Sequence, residues 1–169
     1  PVGDIVGVDD GLTAEVAAAL RDTGLPATRL HVEVTESALL DDQPLALNTL
    51  AELRQSGIRI WLDDFGTGFS GLSHLRRVPV DGVKIDRSFT QDLLTDRDDL
   101  ALTHAIIALA TSLGIPAVAE GIESGAQLEV LRNLQCDLGQ GYWFGYPMKQ
   151  GDLLEVLEQP ERVVAGADD

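Results

Sequence analysis

Apolar and polar side chains alternate along residues 30–36 (LHVEVTE) and again along 58–64 (IRIWLDD), the period-two pattern of half-buried β-strands. Shorter β-rich stretches follow at 80–86 (VDGVKID), 115–120 (IPAVAE) and around 136–144 (CDLGQGYWF). Between them the apolar spacing changes to that of a helix. Leu47, Leu50, Ala51 and Leu53 recur at helical spacing in 44–56, with Pro44 early and Gly57 just past the end, the order in which helices accept these two residues. Leu102, Ile106, Leu109 and Leu113 mark 99–113, closed by Gly114, while Leu128, Leu131 and Leu134 mark 124–135. Stretches 12–23 and 151–158 also read as helices. Strands alternating with helices in units of this length predict parallel pairing and an α/β fold.

The same pattern sorts the ionisable residues. Glu33 and Glu36 close the first strand, Asp63 and Asp64 the second, Lys84 and Asp86 the third, and Glu120 the fourth, while Gln140 lies in the fifth stretch. In a β/α barrel the C-terminal strand ends share one mouth, and active sites are built there. A buried strand must reach water somewhere, so one such carboxylate is unremarkable; a succession of them predicts a site. A closed barrel takes eight strands in about 250 residues. Five strands, with at most a sixth at 4–8 (DIVGV), give the expectation of a TIM-like (β/α) barrel lacking its first strands. Residues 1–159 read as that one domain, incomplete at its N-terminus, and 160–169 as a flexible tail.

Composition narrows the partners. The 169 residues hold 28 Asp and Glu against 12 Lys and Arg, a formal net charge of −16. That balance argues against duplex nucleic acid or an anionic membrane, both of which select basic patches. A small phosphate ligand remains compatible provided local cations intervene, which points to bound metal. Apolar runs stay below membrane-spanning length, and the N-terminus lacks a signal-peptide profile. The lone Cys136 excludes an intramolecular disulfide and fits a reducing compartment. The expectation is a cytoplasmic domain, alone or as part of a larger protein.

Two adjacent carboxylates in a dry mouth raise each other's pKa unless a cation neutralises them. Hard divalent ions prefer oxygen ligands, and Glu33, Asp63 and Asp64 supply them. Neighbouring side chains on a strand point apart, so Asp63 and Asp64 need a bend, expected at Phe65–Gly66. An aspartate bridging two ions about 3.5–4 Å apart lets the pair polarise a phosphoryl oxygen and activate water. Gly66 and Gly68 then let the following loop approach a ligand closely. The bland reading is that Asp63 serves a turn and Asp64 caps a helix; the company of Glu33, Lys84 and Glu120 weighs against it. The DFG triplet resembles the kinase magnesium motif, but no glycine-rich phosphate loop or HRD-type loop accompanies it. Lys84 is either an ordinary surface lysine or an inward one paired with carboxylates, placed to orient water. Glu120 ends an apolar strand and reads as a metal ligand or general base. Glu36 reads as a backbone support for the glycine-rich loop, and Glu123 as a candidate helix start. His31, His74 and His104 show no ligand spacing, and Trp61 is expected to pack between barrel and helices.

EVTES (33–37), LDDFGTGFSGL (62–72), VKIDRSF (83–89), VAEGIES (118–124) and QGYWFGYPM (140–148) stand in the order found in EAL domains, the bacterial cyclic di-GMP phosphodiesterases, and the chain resembles that family from about Gly24 to Met148. The resemblance implies a modified β/α barrel and two divalent cations, Mg²⁺ or Mn²⁺, with Ca²⁺ an inhibitory alternative. It places metal ligands at Glu33, Asp63, Asp64 and Glu120, with Asp63 bridging and Glu120 serving the second ion and base chemistry. Lys84 matches the lysine at the catalytic water, Gln140 a glutamine near the site, and Glu36 the residue holding the loop after Asp64. Asp86 and Glu123 match supporting or substrate contacts. The Glu-Ala-Leu motif and the N-x-S asparagine ligand of the family do not occur in this sequence, and Phe69 and Gly71 replace a tyrosine and a serine.

The leading expectation is two-metal hydrolysis of cyclic di-GMP to linear pGpG, weak or absent in this chain alone. The rival is an inactive cyclic di-GMP-binding or protein-interaction module, and a third option is an unrelated divalent-metal barrel enzyme. A homodimer, and membership of a larger multidomain signalling protein, are both compatible with an open barrel edge.

Overall fold

A computed structural model describes residues 11–35, 43–67, 78–149 and 151–154. The chain divides between Lys84 and Ile85 into two compact units. The first holds α1 (Leu12–Thr23), a 3-10 turn at Ala27–Arg29, β1 (His31–Thr35), α2 (Gln43–Gln55), β2 (Arg59–Phe65) and most of β3 (Gly82–Ile85). β1 and β2 pair in parallel, from His31 opposite Arg59 to Thr35 opposite Asp63, and β3 follows β2 in the sheet. This register puts His31, Glu33 and Thr35 on one face with Arg59, Trp61 and Asp63. The other face carries Val32, Val34, Ile60 and Leu62, all buried. α2 packs on β2 and α1 and buries Ala46, Leu50 and Leu53, a helical stripe.

Trp61 does not pack between barrel and helices as expected. It shares the face of Glu33 and Asp63 and lies over Gly82, where a Cβ would stand 2.5 Å from its ring. The His31 ring stacks on it with centroids 5.8 Å apart. The reason is that β2 is buried on both faces across Ile60–Leu62, so an apolar residue there need not point toward a helix. Asp81, just before β3, accepts hydrogen bonds from the Ile60 backbone N–H at 3.0 Å and from Arg54 Nε at 2.9 Å. It ties the start of β2 to the end of α2.

The second unit begins at Ile85 and holds α3 (Arg87–Gln91), α4 (Arg97–Leu113), β4 (Ala117–Ala119), α5 (Gly125–Asn133) and β5 (Leu138–Gly139). β4 pairs with β5 in parallel, Val118 opposite Leu138, and the Glu120 N–H donates to the Ile85 carbonyl. Asp137 repeats the device of Asp81: one residue before β5, it accepts from the Ala117 N–H at 3.0 Å. α4 starts on Asp96, whose carboxylate accepts from the Asp98 and Asp99 N–H groups, and stops at Gly114 with φ 70°, a left-handed C-cap. It packs on α3 and β4 through buried Thr103, Ile106, Ile107 and Ala110.

The helices expected at 12–23, 44–56, 99–113 and 124–135 and the first four strands stand within about two residues of their predicted bounds. The fifth strand shrinks to two residues, and of the helix expected at 151–158 only residues 151–154 are described, as helical. α3 was not expected; Asp86, read as a strand end, is instead its N-cap and accepts from the Ser88 N–H at 2.9 Å. The stretches 4–8 and 155–169 lie outside the described residues. Among the described residues no helix is long and apolar enough to cross a membrane.

Candidate active site

In the first unit the C-terminal ends of the strands bring three of the expected residues together. Lys84 is buried at 7% exposure in a strand buried throughout. Its ammonium lies 2.9 Å from Oε2 of Glu33 and 3.0 Å from Oδ1 of Asp63. Lys84 is therefore the inward lysine, not the surface one. A buried ammonium must be compensated, and two carboxylates against one cation leave the cluster net negative. Oδ1 of Asp63 is sealed from solvent and accepts no hydrogen bond; the contact with Lys84 has the distance of an ion pair but not hydrogen-bond alignment.

Asp64 departs from Asp63 through its backbone. Its φ of 53° is left-handed, a conformation Asp tolerates better than most residues. The turn thus begins one residue before the expected Phe65–Gly66 bend. The Asp64 carbonyl accepts from the Thr67 N–H at 3.3 Å and from the Thr67 hydroxyl at 2.8 Å, and Gly66 follows with φ 103°. Glu36 and Gly68, expected to support this loop, lie outside the described residues.

The second unit holds the remaining candidates. Glu120 follows β4 and is half-buried; its carbonyl accepts from the hydroxyl of the fully buried Thr90. Glu123 pairs with Arg87, Oε1 to Nη2 at 3.2 Å. It precedes the helix rather than starting it, because Ser124 is the N-cap of α5 and forms a capping box with Gln127. The exposed Gln140 uses its backbone twice, donating to the Ala119 carbonyl at 2.8 Å and accepting from the Ile122 N–H at 3.1 Å. Gly141 is required by close approach, since a Cβ there would collide with the Ile122 backbone. Sequence reasoning passed over Arg87, Thr90 and Gln127. Only Gln127 carried a legible signal, as the fourth residue of S-G-A-Q before an apolar run.

The donor set of the first unit fits a hard divalent cation in its chemistry: oxygen atoms, net negative charge and one sealed carboxylate oxygen with no hydrogen-bond donor. Among the described residues no three His, Cys, Asp or Glu side chains are gathered as a cation nest; Glu33 and Asp63 are drawn onto Lys84 instead.

The family description that matches residues 7–147 is the EAL domain. The chain belongs to the EAL domain family. It is 44% identical over 146 residues to the cyclic di-GMP phosphodiesterase NbdA of Pseudomonas aeruginosa, covering 86% of this chain and 19% of that protein. The PaMucR phosphodiesterase in its c-di-GMP complex superposes with a TM-score of 0.82 at 42% identity, covering 85% of this chain and 58% of that one. The manganese/cyclic di-GMP complex of Klebsiella pneumoniae BlrP1 gives a TM-score of 0.77 at 29% identity, covering 82% and 36%. The expected fold class is borne out: α/β, with the TIM-like architecture of EAL domains and five strands, not eight, among the described residues. Manganese and calcium each accompany the dinucleotide in BlrP1 structures. The chain spans about a fifth of the length of the curated relatives it matches.

Proposed function

We propose that this EAL domain serves metal-dependent hydrolysis of cyclic di-GMP to linear pGpG. The observation that carries the reading is the buried Lys84, held by Glu33 and Asp63 at the ends of neighbouring strands. An ammonium fixed in that way is preorganised to donate to an attacking water or to a developing phosphate charge. Glu33, Asp63, Asp64 and Glu120 are the proposed ligands of two divalent ions, Mg²⁺ or Mn²⁺, with Ca²⁺ inhibitory. When bound, the ions lower the pKa of water and neutralise charge on the phosphodiester. Glu120 accepts the proton of the attacking water, Lys84 orients it, and Asp86, Glu123 and Gln140 contact the dinucleotide. Glu36, Gly66 and Gly68 support the loop after Asp64. The domain works in the cytoplasm, with no duplex nucleic acid or membrane contact of its own, within a multidomain signalling protein.

Neither a Glu-Ala-Leu sequence nor an N-x-S stretch occurs among the 169 residues, so turnover by this chain alone is expected to be weak or absent. Chromatography of cyclic di-GMP incubated with the chain and Mn²⁺ tests this. Trace or no pGpG, abolished by chelation, is the expected result; hydrolysis at the rate of complete EAL domains refutes the weak-activity reading. A second reading is favoured by the engagement of both Glu33 and Asp63 with Lys84 and by the absence of a three-residue nest among the described residues. In it the domain binds the dinucleotide, or a partner protein, without chemistry. Metal-independent dinucleotide binding without turnover distinguishes it.

A further inference from the structure

The loop Glu120–Ser124 carries two of the proposed functional carboxylates, and the side chains of Thr90, Gln127 and Arg87 hold it. Thr90, fully buried, donates its hydroxyl to the Glu120 carbonyl and lies 3.0 Å from the Arg87 carbonyl. Gln127, also buried, accepts at Oε1 from the N–H groups of Glu123 and Ser124, both at 2.9 Å. Its Nε2 donates to the Thr90 carbonyl at 2.9 Å and reaches the Gln91 carbonyl at 3.4 Å. Arg87 presses its stem on Gly121, where a Cβ would stand 2.5 Å from Cγ, and its guanidinium pairs with Glu123. A capping box alone needs only an acceptor at position 127, and Glu would serve. Here both amide hydrogens are spent on carbonyls of α3, which a carboxylate cannot do. The choice of Gln at this position therefore reports a tie between α3 and the loop.

We propose that Arg87, Thr90 and Gln127 are positioning residues: α3 is a clamp that fixes the pose of Glu120 through Thr90 and Gln127, and that of Glu123 through Arg87. Its catalytic consequence rests on the phosphodiesterase reading; the clamp itself does not. Small displacements of a catalytic group can cost about a hundredfold in rate, so loss of the clamp is read in turnover before it is read in binding.

The test uses four variants, Thr90→Val, Thr90→Ser, Gln127→Glu and Arg87→Gln, with amide hydrogen exchange and steady-state kinetics on cyclic di-GMP with Mn²⁺. Thr90→Val keeps the shape and loses the hydroxyl; Gln127→Glu keeps the cap and loses the amide donors. Both are expected to speed exchange across 120–124 while α4 stays protected, and to lower kcat by about tenfold with KM within about twofold, the signature of an interaction made in the transition state. Thr90→Ser restores both readouts. Arg87→Gln, a change at a half-exposed side chain, raises KM and leaves the exchange of α4 unchanged. Unaltered exchange at 120–124 in Thr90→Val and Gln127→Glu overturns the clamp, as does a uniform rise across the whole unit that Thr90→Ser does not reverse. Where the unsubstituted chain shows no hydrolysis, an outcome its expected weak or absent turnover already includes, the exchange pattern alone decides the clamp.

Discussion

Lys84 is the residue on which the first unit's polar chemistry turns, because it is the buried cation that both Glu33 and Asp63 approach. Removing one member of a buried ion pair leaves the others uncompensated, at about 3–5 kcal/mol when the site is dry. Glu33 is 37% exposed and Asp63 23%, so water can take up part of that charge. Lys84→Met is therefore expected to lower unfolding free energy by about 1–3 kcal/mol in urea titration, less than a dry pair. Adding Glu33→Gln should recover part of the loss; an unchanged urea midpoint in the single variant would show the pair to be ornamental. Cys136 supplies a pH test. Burial pushes its thiol pKa up against the opposing effect of hydrogen bonding at Leu138. A raised pKa in the folded state means stability that is complete below the ordinary thiol range, about 8.5, and is lost as pH rises through the folded value. Wild-type protein should lose more stability than Cys136→Ala between neutral and strongly alkaline pH, with parallel curves contradicting the assignment.

At the scale of elements, the two aspartates before β3 and β5 do the same work: each satisfies a backbone N–H at or next to the first residue of the preceding strand, at Ile60 and Ala117. Asp137→Ala should leave the Ala117 N–H unpaired and cost about 1–3 kcal/mol, while Asp137→Asn, which keeps an acceptor, should cost less. Thermal melts of the two variants decide it, and equal losses would assign the effect to charge alone. Gly141→Ala should be more damaging than Gly24→Ala, because the first drives a Cβ into the Ile122 backbone and the second meets nothing within 4 Å. These devices were not legible in the sequence. Periodicity located the strands and helices because Val32, Val34, Ile60, Leu62, Leu50 and Leu53 are core residues whose spacing is itself the signal. The carboxylates at strand ends were legible for the same reason, since charge that interrupts an apolar run must be explained. Thr90 was not, and Gln127 was legible only as a capping-box residue and not as a tie to α3, because a buried polar residue inside a helix looks like a solvated one until its partners are known. The side of Trp61 was not legible because the alternation of β2 lapses across Ile60–Leu62, where the strand is buried on both faces.

For the molecule as a whole, a net charge of −16 sets the terms of any encounter with an anionic dinucleotide. Coulombic repulsion disfavours the complex unless cations stand between protein and phosphate, so dinucleotide affinity should rise with divalent metal far more than with equal ionic strength of monovalent salt. Under the proposed function this links the acidic composition and the oxygen-rich strand ends: the acidic side chains would recruit the metal through which phosphate is held. The decisive measurement is calorimetric titration of cyclic di-GMP into the protein with Mn²⁺, after chelation, and into the Asp63→Asn variant with Mn²⁺. The account predicts measurable affinity with the metal, and a fall of at least about tenfold, 1.4 kcal/mol, on chelation or substitution. Equally tight binding in all three titrations would contradict it and leave a dinucleotide receptor in place of a metal-dependent hydrolase.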